Sequence, residues 1–209
     1  MDIHPPHAIH SWKDFLVQLA TITAGILIAL SLEGLREAWH DHALVREARE
    51  NIRREIADNK REVDGELARL PEARERLESA LQYANDRLAS KKTNVHTINV
   101  GFSLAELSSA SWVTADRTGA LSHMDYDEAQ RYSRVYGQQD LYAQQQRQAV
   151  GHVSGASSVW VNSSDPDLLP LKDVEVFRGH VVALFADLFI TEQLGRGLSK
   201  SYKKVLEQQ

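Results

Sequence analysis

The sequence predicts an all-α protein in which a single N-terminal transmembrane helix is followed by a long kinked helix and a C-terminal helical bundle. Residues 15–32 form an apolar run without a charged side chain, and apolar residues recur at helical spacing through most of the chain that follows. The only cluster of β-branched residues lies within 90–103, where the helical period is lost. We interpret that cluster as a loop with at most a short extended piece.

The apolar run has the length of a membrane span. About 18 residues at about 1.5 Å each give about 27 Å, close to the hydrocarbon thickness of a bilayer. Trp12 and Trp39 flank the run and are predicted to be interface anchors. A core helix of a soluble domain would carry charged residues on its wet face, so we predict an uncleaved span over 15–32. A cleaved signal peptide is the alternative, because Ala29, Leu30 and Ser31 resemble a cleavage site.

One face of this helix carries small and polar residues. The face consists of Gln18, Thr21, Gly25 and Ala29, which recur at helical spacing. Small residues let two helix backbones approach closely in lipid, and polar side chains can hydrogen-bond across the contact. The pattern therefore predicts helix–helix contact in the membrane and a homo-oligomer. The alternative is that small residues are simply common in membrane helices.

The basic residues near the span favour one orientation. Only Lys13 precedes the span closely, whereas several arginines follow it: Arg36, Arg46, Arg49, Arg53 and Arg54. Because cytoplasmic flanks carry an excess of Lys and Arg, the soluble domain is expected in the cytoplasm rather than the periplasm.

A long charged amphipathic helix is predicted over 33–90. Its apolar stripe comprises Ala48, Ile52, Ile56, Asn59, Val63, Leu67 and Leu70, and it continues beyond Pro71 to Leu88. A kink near Pro71 is therefore expected, with a helical hairpin at that proline as the alternative. The charged faces of this helix are interpreted as solvated surface.

The remaining chain is predicted to be a loop over 91–103 and a helical bundle over 104–209. One helix is expected over LAELSSASWVTADRT, ended by Gly119, and a second begins with Ser122 and Asp125 in capping-box spacing. The stretch GHVSGASSVWVNSSDPDLLP has the composition of a linker, and a final helix starts at about Leu171.

Composition excludes some functions and catalytic motifs are lacking. The net charge of -5 gives no sign of nucleic-acid binding, and the chain has no cysteine for thiolate chemistry. GHVSG lacks the spacing of a nucleophile elbow, and the pair Glu37 and His40 is only half of a di-iron motif. We expect neither an enzyme nor a cofactor.

Two groups of residues are weaker candidates for binding sites. His4, His7 and His10 in the N-terminal tail, 1–14, can gather around Zn or Cu if the prolines between them fold back, although no metal is expected. A ligand pocket would be lined by aromatic and basic residues of the bundle: Trp112, Arg117, Tyr126, Tyr132 and Tyr136. Ordinary packing is the alternative for these side chains.

Three segments carry a resemblance to a known group: MDIHPPHAIHSWKDF, GILIALSLEGLREAWHDH and LVREARENIRREIADNK. Over 1–60 the chain resembles uncharacterised bacterial single-pass membrane proteins with a His- and Pro-containing N-terminus, an ILIAL-type span and a charged helical C-terminal domain. SSASWVTADRTGALSHMDYDEAQRYSRVY is more loosely similar. The resemblance implies the architecture and a location in the bacterial inner membrane, and it transfers no catalytic residue.

The expected function is that of a membrane-anchored helical scaffold or accessory protein. It would act through self-association and through binding of a protein partner, with the lipid bilayer as its environment. A ligand-sensing bundle is one alternative. An oligomeric pore or defence effector built from the polar face of the span is another.

Overall fold

A computed structural model describes residues 12–95, 97–161 and 165–208. The four α-helices are α1 (Trp12–Leu88), α2 (Ala110–Arg117), α3 (Tyr126–Ser158) and α4 (Leu171–Glu207), and two 3-10 helices span Ala120–His123 and Pro166–Leu168. No strand occurs in the described part of the chain. The predicted all-α class is confirmed, with a long N-terminal helix followed by a helical C-terminal region.

The chain divides into two units, Met1–Glu47 and Ala48–Gln209. In the first unit, α1 contains a window that is long and apolar enough to cross a membrane, and none of that window is buried. Trp12 and Trp39 are also exposed, at 72% and 80%. The apolar window is therefore not a core helix of the described chain. Since α1 begins at Trp12, residues 12–14 are helical rather than part of a tail.

α1 continues without reversal through Pro71, so the structure contains no hairpin at that proline. The predicted stripe is largely buried within the second unit, with Ile52, Ile56 and Val63 fully enclosed. Farther along α1, Leu77 and Tyr83 join a hydrophobic core that includes Phe177 and Leu184 of α4. The 3.6-residue spacing of the stripe thus marks the face of α1 that packs against the other helices.

α3 and α4 pack against each other along much of their length. Their close approach depends on glycines that leave room for side chains of the opposite helix. A Cβ at Gly195 would lie 2.9 Å from the Tyr142 ring, and a Cβ at Gly155 would lie 2.3 Å from the His180 ring.

The beginning of the bundle differs from the prediction. Residues 104–109 are not helical, and α2 begins only at Ala110. α3 is capped by Asp125, whose carboxylate accepts a hydrogen bond from the Glu128 backbone N–H at 3.0 Å. The cap therefore pairs Asp125 with Glu128 and not Ser122 with Asp125. Ser122 instead donates to the Gly119 carbonyl within a turn.

The predicted linker is also shorter than expected. α3 continues through GHVSGASS to Ser158, and at Gly155 packing against His180 of α4 outweighs the weak helix propensity of glycine. The start of α4 at Leu171 is as predicted.

Candidate functional site

The small-residue face of the apolar helix is exposed along its whole length. Gln18, Thr21, Gly25 and Ala29 are all exposed, and a Cβ at Gly25 would meet nothing within 4 Å. The Thr21 hydroxyl already donates to the Val17 carbonyl at 2.9 Å. A second helix can therefore approach the backbone of this face closely, but the Thr21 hydroxyl is not free to donate a hydrogen bond to it.

The five residues predicted to line a pocket differ in burial, and two of them are in contact. Trp112 stacks on Tyr136 with ring centroids 5.3 Å apart, and Tyr132 and Tyr136 are buried. Arg117 and Tyr126 are exposed, the latter at 72%. His4, His7 and His10 lie outside the described residues. Within the described ranges, no group of three or more His, Asp or Glu side chains can hold a metal ion.

Buried polar side chains on three helices form the most distinctive feature of the second unit. We call these residues the polar layer: Glu55, Asn59 and Glu66 of α1, Tyr136, Gln139, Tyr142 and Gln146 of α3, and Tyr202 of α4. Buried polar groups are costly unless they are hydrogen-bonded, so the partners of these groups determine the local structure.

Glu55 and Asn59 bind the segment that precedes α2 and the first turn of α2. The Glu55 carboxylate accepts hydrogen bonds from the Tyr136 hydroxyl at 2.6 Å, the Ser108 hydroxyl at 2.7 Å and the Ser111 N–H at 2.9 Å. Asn59 donates to the Ser108 carbonyl at 2.7 Å and accepts from the Ser108 N–H at 2.9 Å. The side chains of α1 thereby replace the backbone partners that a helix would supply.

Gln139 links this contact to α4. Its amide donates to the Ser108 carbonyl at 3.0 Å, while its oxygen accepts from Asn59 at 3.0 Å and from the Tyr202 hydroxyl at 2.6 Å. α1, α3, α4 and the segment before α2 therefore share one hydrogen-bond network.

Glu66 has an uneven set of contacts. Its Oε2 accepts hydrogen bonds from the Ala105 N–H at 2.9 Å, the Tyr142 hydroxyl at 2.7 Å and the Gln146 amide at 2.7 Å. Its Oε1 is buried and has no hydrogen-bond partner among the described residues. Burial raises the pKa of Glu66 above the ordinary glutamate value, although these three donors oppose the shift.

The tyrosines of the polar layer remain protonated donors. Burial first, and then the neighbouring carboxylates Glu55 and Glu66, raise the pKa values of Tyr136 and Tyr142 well above the ordinary range. Burial likewise raises the pKa of Tyr202. These hydroxyls are suited to fixing carboxylates in place rather than to accepting protons.

A second polar cluster joins α3 and α4. Asp187, only 1% exposed, accepts hydrogen bonds on Oδ1 from the amides of Gln145 at 3.0 Å and Gln148 at 3.1 Å. Its Oδ2 lies 2.6 Å from Nδ1 of His152, whose side chain is 32% exposed. The ring of His180 lies beside His152, with centroids 6.0 Å apart.

A surface cleft of the second unit has a volume of about 580 Å³, and its lining includes Arg49, Arg53 and Glu128, which have partners within the unit. Arg49 forms two hydrogen bonds with the Glu128 carboxylate, each of 2.7 Å, which lower the pKa of Glu128. Arg53 donates to the carbonyls of Val205 and Leu206 near the end of α4. These arginines act as structural links, so the charged faces of α1 are not merely solvated surface.

The sequence contains partial signals for the polar layer. Asn59 occupies a position of the apolar stripe, which indicates a buried amide. Gln139 and Gln146 lie on the buried face of α3. Glu55 and Glu66 give no such signal, because each lies among exposed charged residues of α1.

Comparison of the chain with protein-family models, with curated proteins and with solved structures gave no match.

Proposed function

We propose that this protein is a membrane-anchored helical scaffold or accessory protein that acts through self-association of its apolar helix and through protein binding by its second unit. The observation that carries the proposal is the apolar window of α1, none of which is buried, together with its continuous small-residue face. A helix with this composition is stable in a bilayer, and a face of small residues favours a second helix over lipid.

The inner membrane of a bacterium is the proposed location, with the second unit in the cytoplasm. Support for this orientation comes from the arginines that follow the apolar window, since Lys and Arg concentrate on the cytoplasmic flank of a span. The resemblance of residues 1–60 to bacterial single-pass proteins favours the same location.

The contacts of the second unit favour a binding role over turnover. In the polar layer, Asn59 and Gln139 hydrogen-bond each other and the backbone of Ser108. The Glu55 carboxylate accepts from the hydroxyls of Tyr136 and Ser108 and from a backbone N–H of α2. Arg49 and Arg53 of the surface cleft hold other elements of the same unit. Side chains that are committed to internal contacts rigidify a unit, and a rigid surface suits recognition of a protein partner.

Two leucines on the small-residue face test the self-association. In the variant Gly25→Leu, Ala29→Leu, the bulky side chains hold the helices apart, and we expect a loss of about 1–3 kcal/mol of association because an overpacked contact is strained. Nothing lies within 4 Å of Gly25 in the single chain, so the leucine creates no clash within the monomer. Cross-linking in membranes and sizing in detergent measure the oligomer.

The matched control is Leu27→Ala, Leu30→Ala, which changes exposed residues on another face of the helix. This variant is expected to assemble like the parent. If the leucine variant also assembles like the parent, the small-residue face is not the interface and the proposed mode of association is wrong.

A further inference from the structure

Two histidines face each other across the contact between α3 and α4, outside the polar layer. His152 belongs to α3 and His180 to α4, and their ring centroids are 6.0 Å apart at an interplanar angle of 47°. Both side chains are partly exposed, so ions from solution can reach them.

The separation of the rings is close to that of two ligands on one metal ion. With metal–nitrogen distances of about 2.0–2.1 Å, each ring centroid lies roughly 3.2 Å from the metal, and two rings at a tetrahedral angle lie roughly 5.2 Å apart. The observed 6.0 Å exceeds this distance by about 0.8 Å, which a rotation of either side chain can remove.

Asp187 prepares His152 for metal binding. Its Oδ2 lies 2.6 Å from Nδ1 of His152, which fixes the proton on Nδ1 and leaves Nε2 as a lone-pair donor. Metal-binding histidines commonly donate their other ring N–H to a carboxylate in this way, because the contact orients the ring and raises its basicity. The amides of Gln145 and Gln148 hold Asp187 from the other side.

Gly155 makes room for the second histidine. A Cβ at this position would lie 2.3 Å from Cε1 and 2.6 Å from Nε2 of His180, so any larger residue displaces the ring. Glycine inside a helix is less favourable than alanine. At Gly155 the glycine leaves space for the His180 ring close to His152, and this packing offsets the cost.

We propose that His152 and His180 bind a divalent transition-metal ion such as Zn²⁺ or Co²⁺ between α3 and α4, with Asp187 orienting His152. Imidazole is a preferred ligand for these ions. The described residues provide no third His, Asp or Glu ligand at this place, so water or a partner's side chain completes the coordination. Such an open site binds metal more weakly than a closed structural site and can join the protein to a partner.

Titration with Co²⁺ tests the site, since four-coordinate Co²⁺ absorbs visible light. The full chain is purified in detergent without a histidine tag and carries His4→Gln, His7→Gln and His10→Gln, which remove competing ligands. We expect one Co²⁺ per chain in this background. His152→Gln and His180→Gln should each weaken binding by about tenfold or more, and Asp187→Asn by about 10- to 100-fold.

His42→Gln is the matched control, because His42 is exposed on α1 and belongs to the other unit. This change is expected to leave Co²⁺ affinity unchanged. His180 makes no hydrogen bond with a described residue, so its replacement by Gln should preserve the fold, which circular dichroism checks. The proposal is overturned if the background protein binds no Co²⁺, or if His180→Gln binds it as tightly as the background.

Discussion

At the scale of single residues, Glu66 is a buried carboxyl group whose burial costs free energy. Three donors converge on its Oε2, while Oε1 is buried without a hydrogen bond from any described residue. Each unmade hydrogen bond of a buried oxygen costs about 1–3 kcal/mol. Protonation lowers this cost, which agrees with a pKa of Glu66 that burial raises above 4.5.

Glu66 should therefore make stability depend on pH. Above pH 4.5 the folded chain retains the Glu66 proton while the unfolded chain has begun to lose it, so the free energy of unfolding decreases as pH rises through the folded pKa. Glu66→Gln cannot titrate and removes this component. We expect the stability of the parent relative to Glu66→Gln to fall as pH rises from 4.5, and urea unfolding at a series of pH values measures it.

The control for this change is Glu62→Gln, which alters an exposed glutamate one turn earlier in α1. Its pH profile should run parallel to that of the parent. Parallel profiles for the parent and Glu66→Gln as well would show that the buried carboxylate does not titrate differently in the folded chain.

At the scale of elements, the segment 104–109 owes its shape to side chains that are distant in sequence. Asn59 hydrogen-bonds both the N–H and the carbonyl of Ser108, as a neighbouring strand would. Asn59→Ala leaves these groups and the Gln139 oxygen without that partner, and we expect a loss of about 1–3 kcal/mol of stability. Hydrogen exchange of the Ser108 amide should become faster, while exchange in α4 changes only with global stability.

Asp58→Ala provides the comparison for this prediction. Asp58 is exposed and pairs with the neighbouring exposed Arg61, so the loss should stay within about 0.5 kcal/mol. An Asn59→Ala variant as stable as Asp58→Ala would mean that the contact with Ser108 does not hold the segment in place.

The same segment explains which elements could be predicted from the sequence. The apolar spacing of α1 and the start of α4 follow from local patterns, since burying one helix face needs only a repeat near 3.6 residues. Residues 104–109 carry the composition of a helix, but Glu66 and Asn59 supply their hydrogen bonds from far away. No local pattern encodes such partners.

The prediction of a linker at the glycines of GHVSG was wrong for a related reason. The sequence GHVSG predicts a linker because glycine usually ends helices, yet Gly155 lies inside α3 where the ring of His180 needs space. The arginines of α1 are a further example of residues whose environment depends on tertiary contacts. Their spacing is typical of a solvated face, whereas Arg49 and Arg53 reach α3 and the end of α4. At these positions, tertiary contacts rather than local sequence patterns determine the structure.

At the scale of the whole molecule, the proposed orientation gives the arginines a role before folding as well as after it. Arg49 and Arg53 are engaged inside the folded second unit, whereas Arg36 and Arg46 remain exposed on α1. A span acquires its orientation during insertion, before the second unit has folded. In the proposed orientation, all four charges would contribute to retaining this flank in the cytoplasm, whatever their later contacts.

Fusion of reporters after Gln209 tests this orientation. Alkaline phosphatase folds only in the periplasm, so we expect its fusion to be inactive and a fluorescent-protein fusion to be bright. Arg36→Gln with Arg46→Gln removes two flanking charges and should raise phosphatase activity, whereas Arg61→Gln with Arg69→Gln, farther along α1, should not. An active phosphatase and a dark fluorescent protein on the parent chain would reverse the proposed orientation. The second unit would then work in the periplasm, and any partner it binds would have to be sought there.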